Sequence, residues 1–161
     1  MFVHSVILVY CDTFYVQNNN RPTVTHGCET WVLTTSDENQ LYIFERKTLR
    51  KIHGPTQNPD GTRRIKTYDE LRNRMIQEDI IKFIKSQRLR WAMRMENTRT
   101  TRKITEWTPF KTRPAGRPRL RWMDQVEEDL KRMKSVGWRA KVEDRQEWNR
   151  IVEQTKNHPG L

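Results

Sequence analysis

Twelve basic side chains define the chemistry this chain could do: Lys82, Lys85, Arg88, Arg90, Arg94, Arg102, Lys103, Lys111, Arg113, Arg117, Arg119 and Arg121. Arginine suits phosphate because its planar fork bonds two oxygens at once. Cations at this density point to a polyanionic partner, nucleic acid (DNA or RNA) before a membrane surface. The last five lie in Lys111-Thr-Arg-Pro-Ala-Gly-Arg-Pro-Arg-Leu-Arg-Trp122, which contains no acid. Pro114, Gly116 and Pro118 exclude regular structure up to Arg117. A rigid, extended, basic strap suits a nucleic-acid groove or a row of phosphates. A solubilising linker between two helical units would have the same composition. Gly116-Arg117-Pro118 is similar to the core of an AT-hook, which lays arginines in a narrow minor groove.

Net charge makes the same point on a larger scale. The 161-residue chain carries a net charge of +11. Residues 1–60 hold 5 basic and 6 acidic side chains, residues 61–121 hold 18 and 6, and residues 122–161 hold 8 and 8. The whole excess is therefore in the middle. No basic helix has an opposite face rich in Phe and Leu, so a membrane partner is not expected.

Other chemistries find little support. Two-metal polymerase or nuclease chemistry needs clustered carboxylates, and the chain has no Asp-Asp pair. Glu127-Glu128-Asp129 fans around a helix and reads as a solvated face. The four histidines have no nucleophile or carboxylate partner nearby in sequence. No Gly-rich phosphate loop is followed by Lys-Ser/Thr. No enzyme activity, no metal site and no cofactor are expected. Cys11 and Cys28 are too few for a disulfide framework and read as thiols in a reducing compartment. Phe2 to Tyr10 is too short for a membrane span and lacks the flanks of a signal peptide. An intracellular protein, nuclear or cytoplasmic, is expected.

The elements that must position the cations are mostly helical. The apolar and charged fractions, 34% and 32%, permit a modest helical core. Residues 1–16 and Thr23–Leu33 read as strand-like runs, separated by a loop at Asn18 to Asn20. Thr35-Ser-Asp-Glu38 and Thr67-Tyr-Asp-Glu70 are capping boxes. The first opens a helix with Leu41, Phe44, Thr48, Leu49 and Ile52 on one stripe, stopped by Gly54-Pro55. Residues 55–66 read as a loop turning at Asn58-Pro-Asp-Gly61. The second box opens a short helix through Leu71 and Met75. Glu78-Asp79 begins a longer one, with Ile81, Ile84, Trp91 and Met95 inward and Lys82, Lys85, Arg88 and Arg90 on the other face. Residues 97–117 read mostly as loop, with Ile104 and Trp107 as core anchors. Pro118 starts a helix that carries Trp122, Met123, Val126, Leu130 and Met133 and breaks at Gly137. A last helix carries Trp138, Val142, Trp148, Ile151 and Val152, and frays by His158-Pro159-Gly160. The tryptophans could stack on bases, but their helical spacing makes them core residues first. The expected fold is mainly α: four or five amphipathic helices in a small bundle with a strand-like N-terminal appendage.

Five phrases in order carry a resemblance. They are Arg21-Pro-Thr-Val-Thr-His-Gly-Cys-Glu-Thr-Trp31, Phe44-Glu-Arg-Lys-Thr-Leu-Arg-Lys-Ile52, Arg88-Leu-Arg-Trp91, Gly116-Arg-Pro-Arg-Leu-Arg-Trp122 and Asp144-Arg-Gln-Glu-Trp148. Together they are similar to the C-terminal end of arthropod non-long-terminal-repeat retrotransposon polyproteins, the endonuclease–reverse transcriptases. The resemblance covers about residues 20–161. It implies that residues 20–34 lie just past the polymerase palm, residues 35–96 are thumb helices, 97–117 a basic strap and 118–161 a C-terminal extension. Residues 1–19 have no counterpart in it. The thumb of such polymerases grips a template–primer duplex. The family's fingers, palm aspartates and endonuclease have no counterpart here, so the expectation is a truncated, non-catalytic fragment of an RNA-directed DNA polymerase that binds nucleic acid. A palm supplied in trans by another chain is a second expectation. A helical protein-interaction remnant or an inactive transposon relic is the competing one.

Overall fold

A computed structural model describes residues 21–74, 78–93, 100–107, 120–158 and 161. Within them the protein is mainly α. Eight α-helices are described: α1 (Arg21–Val24), α2 (Thr35–His53), α3 (Tyr68–Arg72), α4 (Ile80–Met93), α5 (Thr100–Glu106), α6 (Trp122–Arg132), α7 (Trp138–Lys141) and α8 (Arg145–Asn157). A 3-10 turn at Cys28–Thr30 and a two-stranded antiparallel sheet, β1 (Thr56–Gln57) and β2 (Arg63–Arg64), complete them. The expected strand over 1–16, the loop at Asn18 to Asn20, Met75, Met95 and the strap up to Arg119 lie outside the described residues.

The chain divides into two compact units. The first comprises residues up to His26 together with Thr35–Ile81, and the second Gly27–Thr34 together with Lys82–Leu161. The division falls at 81/82, inside α4.

In the first unit the strand expected from Thr23 is not formed: Arg21–Val24 is one helical turn, and the chain leaves it in a turn. Pro22 suits a helix's first turn, and both the main-chain N–H and the hydroxyl of Thr25 close that turn on the Arg21 carbonyl, at 2.9 and 2.8 Å. Helix α2 begins at Thr35, the residue expected to cap it, and so one residue earlier than expected, and it packs against α3. Its buried positions are Glu45 and Leu49, whereas Phe44, expected on the inner stripe, is exposed. The capping box of α3 stands as expected. Glu70 N–H donates to the Thr67 hydroxyl at 3.4 Å, and Thr67 N–H donates to the Glu70 carboxylate at 3.0 Å. Arg64 also binds that carboxylate with both terminal nitrogens, which holds Glu70 down at a pKa of about 2. The turn at Asn58–Gly61 stands too, closed by Gly61 N–H on the Asn58 carbonyl at 3.0 Å, with Gly61 at φ 82. The flanking residues pair as a short hairpin, Thr56 with Arg64 and Gln57 with Arg63, where only loop was expected.

Glu45 is the unusual residue of this unit. Its carboxylate accepts the N–H of Ile80 at 2.9 Å, capping the start of α4 from another helix. Among the described residues its second oxygen, Oε2, has no hydrogen-bond partner. Burial pushes its pKa up to about 7, Arg21 opposes that rise, and Asp79 adds to it. The folded pKa lies above the unfolded one, so the native state is favoured where the carboxyl is protonated. That stability is complete below pH ~4.5 and is lost as pH rises through about 7. Amide exchange of α2 and α3 should therefore show the first unit losing on the order of 2–3 kcal/mol between pH 5 and pH 8. Glu45→Gln, which keeps the acceptor and removes the titration, should flatten that profile.

In the second unit Leu89 and Ala92 of α4, Val126 and Leu130 of α6, and Trp148, Ile151 and Val152 of α8 form one buried cluster. Trp91, Met93, Trp122, Met123, Met133, Trp138 and Val142 pack against it. Helix α6 starts at Trp122 rather than at Pro118, with Arg121 at the cap position and its main-chain N–H on the Asp124 carboxylate at 3.3 Å. It ends before Gly137. Ser135 N–H bonds the Leu130 carbonyl and Lys134 N–H the Lys131 carbonyl, both at 2.9 Å, with Lys134 itself at φ 55. These are the two bonds of a Schellman turn, formed with lysine where glycine is usual. Gly137, at φ 70, instead caps α7. The expected last helix is two: α7 and α8, the latter capped by Asp144, which accepts from the N–H of Gln146 and Glu147 at 2.8 and 3.2 Å.

The expected loop over 97–117 contains α5. An Arg102–Glu106 pair at 3.1 Å, one turn apart, supports it. Its half-buried positions are Arg102 and Thr105. Ile104 and Trp107 are 68% and 62% exposed, so neither anchors a core.

Candidate nucleic-acid interface

Most of the charge chemistry expected on one line of cations is divided by the fold between interior and surface. Positions 122, 125 and 129 of α6 are three and four residues apart and form one ridge. Trp122 at its start donates its indole N–H to the Glu29 carbonyl at 2.7 Å. Gln125 accepts from the N–H of Leu33 at 3.1 Å and donates to the Leu33 carbonyl. Its amide thus pairs with a main-chain amide as a neighbouring strand would. The Gln125 oxygen also accepts from Arg88 at 2.6 Å. Asp129, at the end of the ridge, takes the other terminal nitrogen of Arg88 in a buried ion pair, and Lys85 Nζ lies 3.9 Å from its second oxygen.

Arg88 is 1% exposed. A charge at that depth persists only when paired and hydrogen-bonded. One guanidinium therefore ties α4 to α6, and through Gln125 and Trp122 the same ridge holds the Glu29 and Leu33 main chain. Cys28, immediately before Glu29, is buried. Gly27, at φ 68, makes the turn that brings the segment in, a conformation open to glycine at little cost.

The twelve expected site residues then sort as follows. Lys82, Lys85 and Arg88 are buried, which corrects the expectation that they line an outward basic face. The reason is that α4 is enclosed on more than its apolar stripe: Ile80, Ile81, Ile84, Ser86, Leu89 and Ala92 are buried as well. Arg90 is half-buried and pairs with Glu153 at 3.5 Å, and Arg102 pairs with Glu106 within α5. Lys103 is exposed. Arg121 is half-buried, and it is its main chain that caps α6. Arg94, Lys111, Arg113, Arg117 and Arg119 lie outside the described residues. The solvated-face expectation for Glu127-Glu128-Asp129 holds for the two glutamates, which are exposed, and fails for Asp129.

Four of the six tryptophans, Trp91, Trp122, Trp138 and Trp148, belong to the core or pack against it. Trp148 is fully buried and donates to the Leu89 carbonyl at 2.9 Å. Trp91 meets Trp122 edge to face, with ring centres 5.1 Å apart. Trp138 lies 6.1 Å from Trp148, and its ring lies under Arg139 at 4.8 Å. Beside it is a shallow depression lined by Ala92, Met123, Trp138 and Val142, with Arg102, Glu106 and Arg139 also lining it. Both arginines are already paired, Arg102 with Glu106 and Arg139 with Glu127 at 2.8 Å.

One signal for this arrangement was present in the sequence. Arg-Leu-Arg-Trp occurs twice, at 88–91 and at 119–122, and the two closing tryptophans are the pair in contact. Among the described residues no group of three or more His, Cys, Asp or Glu side chains could hold a metal ion. No helix among them is long and apolar enough to cross a membrane. No family model, curated protein or solved structure matches this chain.

Proposed function

We propose that this chain is the thumb and C-terminal extension of a non-long-terminal-repeat retrotransposon reverse transcriptase, and that it binds nucleic acid largely through phosphate contacts. The observation that carries this role is the distribution of charge. Of the 18 basic side chains in residues 61–121, Lys66, Lys82, Lys85 and Arg88 are buried, and the same stretch has only 6 acids. A surplus of 12 cations over acids in one stretch, with Arg63, Arg64, Arg72, Arg74 and Lys103 exposed among the described residues, is what a polyphosphate partner neutralises. The resemblance supports the parent family. Three of its five phrases, Arg21–Trp31, Arg88–Trp91 and Gly116–Trp122, contribute Glu29, Arg88, Trp91 and Trp122 to the ridge and tryptophan contacts described above. The partner is a template–primer-like duplex, DNA or RNA, bound without base readout. In this role the polymerase chemistry belongs to a palm that these residues do not provide.

The test is charge reversal in the strap. Arg117→Glu, Arg119→Glu and Arg121→Glu together should weaken duplex binding by about tenfold or more at constant salt. Helicity should not change, because the Arg121 main chain, retained in the variant, makes the bond to Asp124. Unchanged affinity would count against the role. Lost affinity with lost helicity would show only that the strap is needed for folding.

A further inference from the structure

Helix α2 carries a second basic surface, of different character from the strap. Successive residues advance about 100° around a helix. Gln40, Ile43, Phe44, Lys47, Arg50 and Lys51 therefore share the side opposite the buried Glu45 and Leu49, and all six are exposed. Ile43 is 44% exposed and Phe44 37%, both large for apolar residues on a helix that also buries an inner face. The three cations follow in the last two turns. Asp60 is the first acid after Glu45, so no acid interrupts them in sequence. The β2 residue Arg63 is exposed as well.

We infer that this face binds a single strand of nucleic acid, with phosphates on Lys47, Arg50 and Lys51 and an unpaired base on Phe44. The inference rests on the nucleic-acid-binding role proposed above and adds to it a second site and a strand preference. Lys47 and Lys51 are one turn apart, a rise of about 6 Å, which suits consecutive phosphates along one strand. Cations alone would serve a duplex equally well. The exposed apolar pair beside them is what favours a single strand: bases in a duplex are stacked away, whereas an unpaired base offers its face to an aromatic ring. An acidic peptide is the other partner such a face could attract, and the experiment separates the two.

Anisotropy titrations of the full chain would use labelled oligo-dT, a labelled duplex and labelled poly-glutamate. Phe44→Ala should lower oligo-dT affinity about fivefold or more and leave duplex affinity unchanged, while Phe44→Trp should retain it. Lys47→Glu with Lys51→Glu should weaken oligo-dT binding and reduce its log–log salt slope by about 1.4. Circular dichroism of each variant shows whether α2 is intact, and Phe44→Trp keeps the test valid if the alanine variant unfolds. Oligo-dT binding that ignores both sets of substitutions overturns this inference and leaves the strap's role standing. Failure of the wild-type chain to bind either nucleic acid overturns both, as does preference for poly-glutamate.

Discussion

Asp129→Asn should cost the second unit about 3–5 kcal/mol, because it leaves the guanidinium of Arg88 buried without its counter-charge. Removing one partner of a buried pair is far more damaging than removing both, since the survivor keeps its desolvation cost. The double variant Arg88→Met, Asp129→Leu should therefore regain at least about half of the loss. Lys85 remains near the site in either case. The readout is convenient. All six tryptophans lie in residues assigned to the second unit, so tryptophan fluorescence during urea unfolding follows that unit. A single variant within about 0.5 kcal/mol of wild type would mean that the pair is not formed in solution.

Trp148→Ala should be of similar size. The side chain is 0% exposed, sits among Leu89, Val126, Leu130, Ile151 and Val152, and donates to the Leu89 carbonyl. Truncating a buried aromatic to alanine costs about 3–5 kcal/mol, a transfer loss plus a cavity loss. Trp148→Phe keeps much of the volume and gives up the indole N–H. Its expected cost is about 1–2 kcal/mol, near that of one hydrogen bond and some loosened packing. Both values come from the same fluorescence-detected unfolding, read on the remaining five tryptophans. Equal costs for alanine and phenylalanine would place the importance of Trp148 in its hydrogen bond rather than its bulk. Either loss would be a large share of a domain stability of about 5–15 kcal/mol.

Periodicity and caps made much of this fold legible. The α3 capping box, the Asn58–Gly61 turn and the apolar positions Val126, Leu130, Trp148, Ile151 and Val152 could all be read from spacing, because each depends on neighbours within a turn or two. What could not be read depends on partners far along the chain. Arg88 and Asp129 are 41 residues apart. Each alone looks like a solvated charge, and only the docking of α4 on α6 turns them inward. The run from Thr23 has a strand's composition, yet local helical bonds prevail there and no strand among the described residues pairs with it. Ile104 and Trp107 have core composition but lie on exposed positions in and beside a short helix, which periodicity in so few residues could not settle.

The charge of the candidate segment was legible in the sequence, and the burial of Lys82, Lys85 and Arg88 within it was not. The excess charge is real, but counting it over long blocks concealed where it is displayed. Residues 1–60 sum to −1 while Arg46, Lys47, Arg50 and Lys51 stand together without an acid among them. Conversely, a long basic block included three cations on α4 that the fold uses inside. Amphipathic reading assigns every charge to the surface, and it fails wherever one acid on a neighbouring helix is positioned to receive a charge.

The central claim, that nucleic acid is held chiefly through its phosphates, is tested most directly by the salt dependence of binding. Duplex affinity of the wild-type chain would be measured from about 50 to 300 mM salt. Neutralising about four to seven phosphates predicts a log–log slope between about −3 and −6. A slope near zero, or no binding at the lowest salt, would contradict the claim.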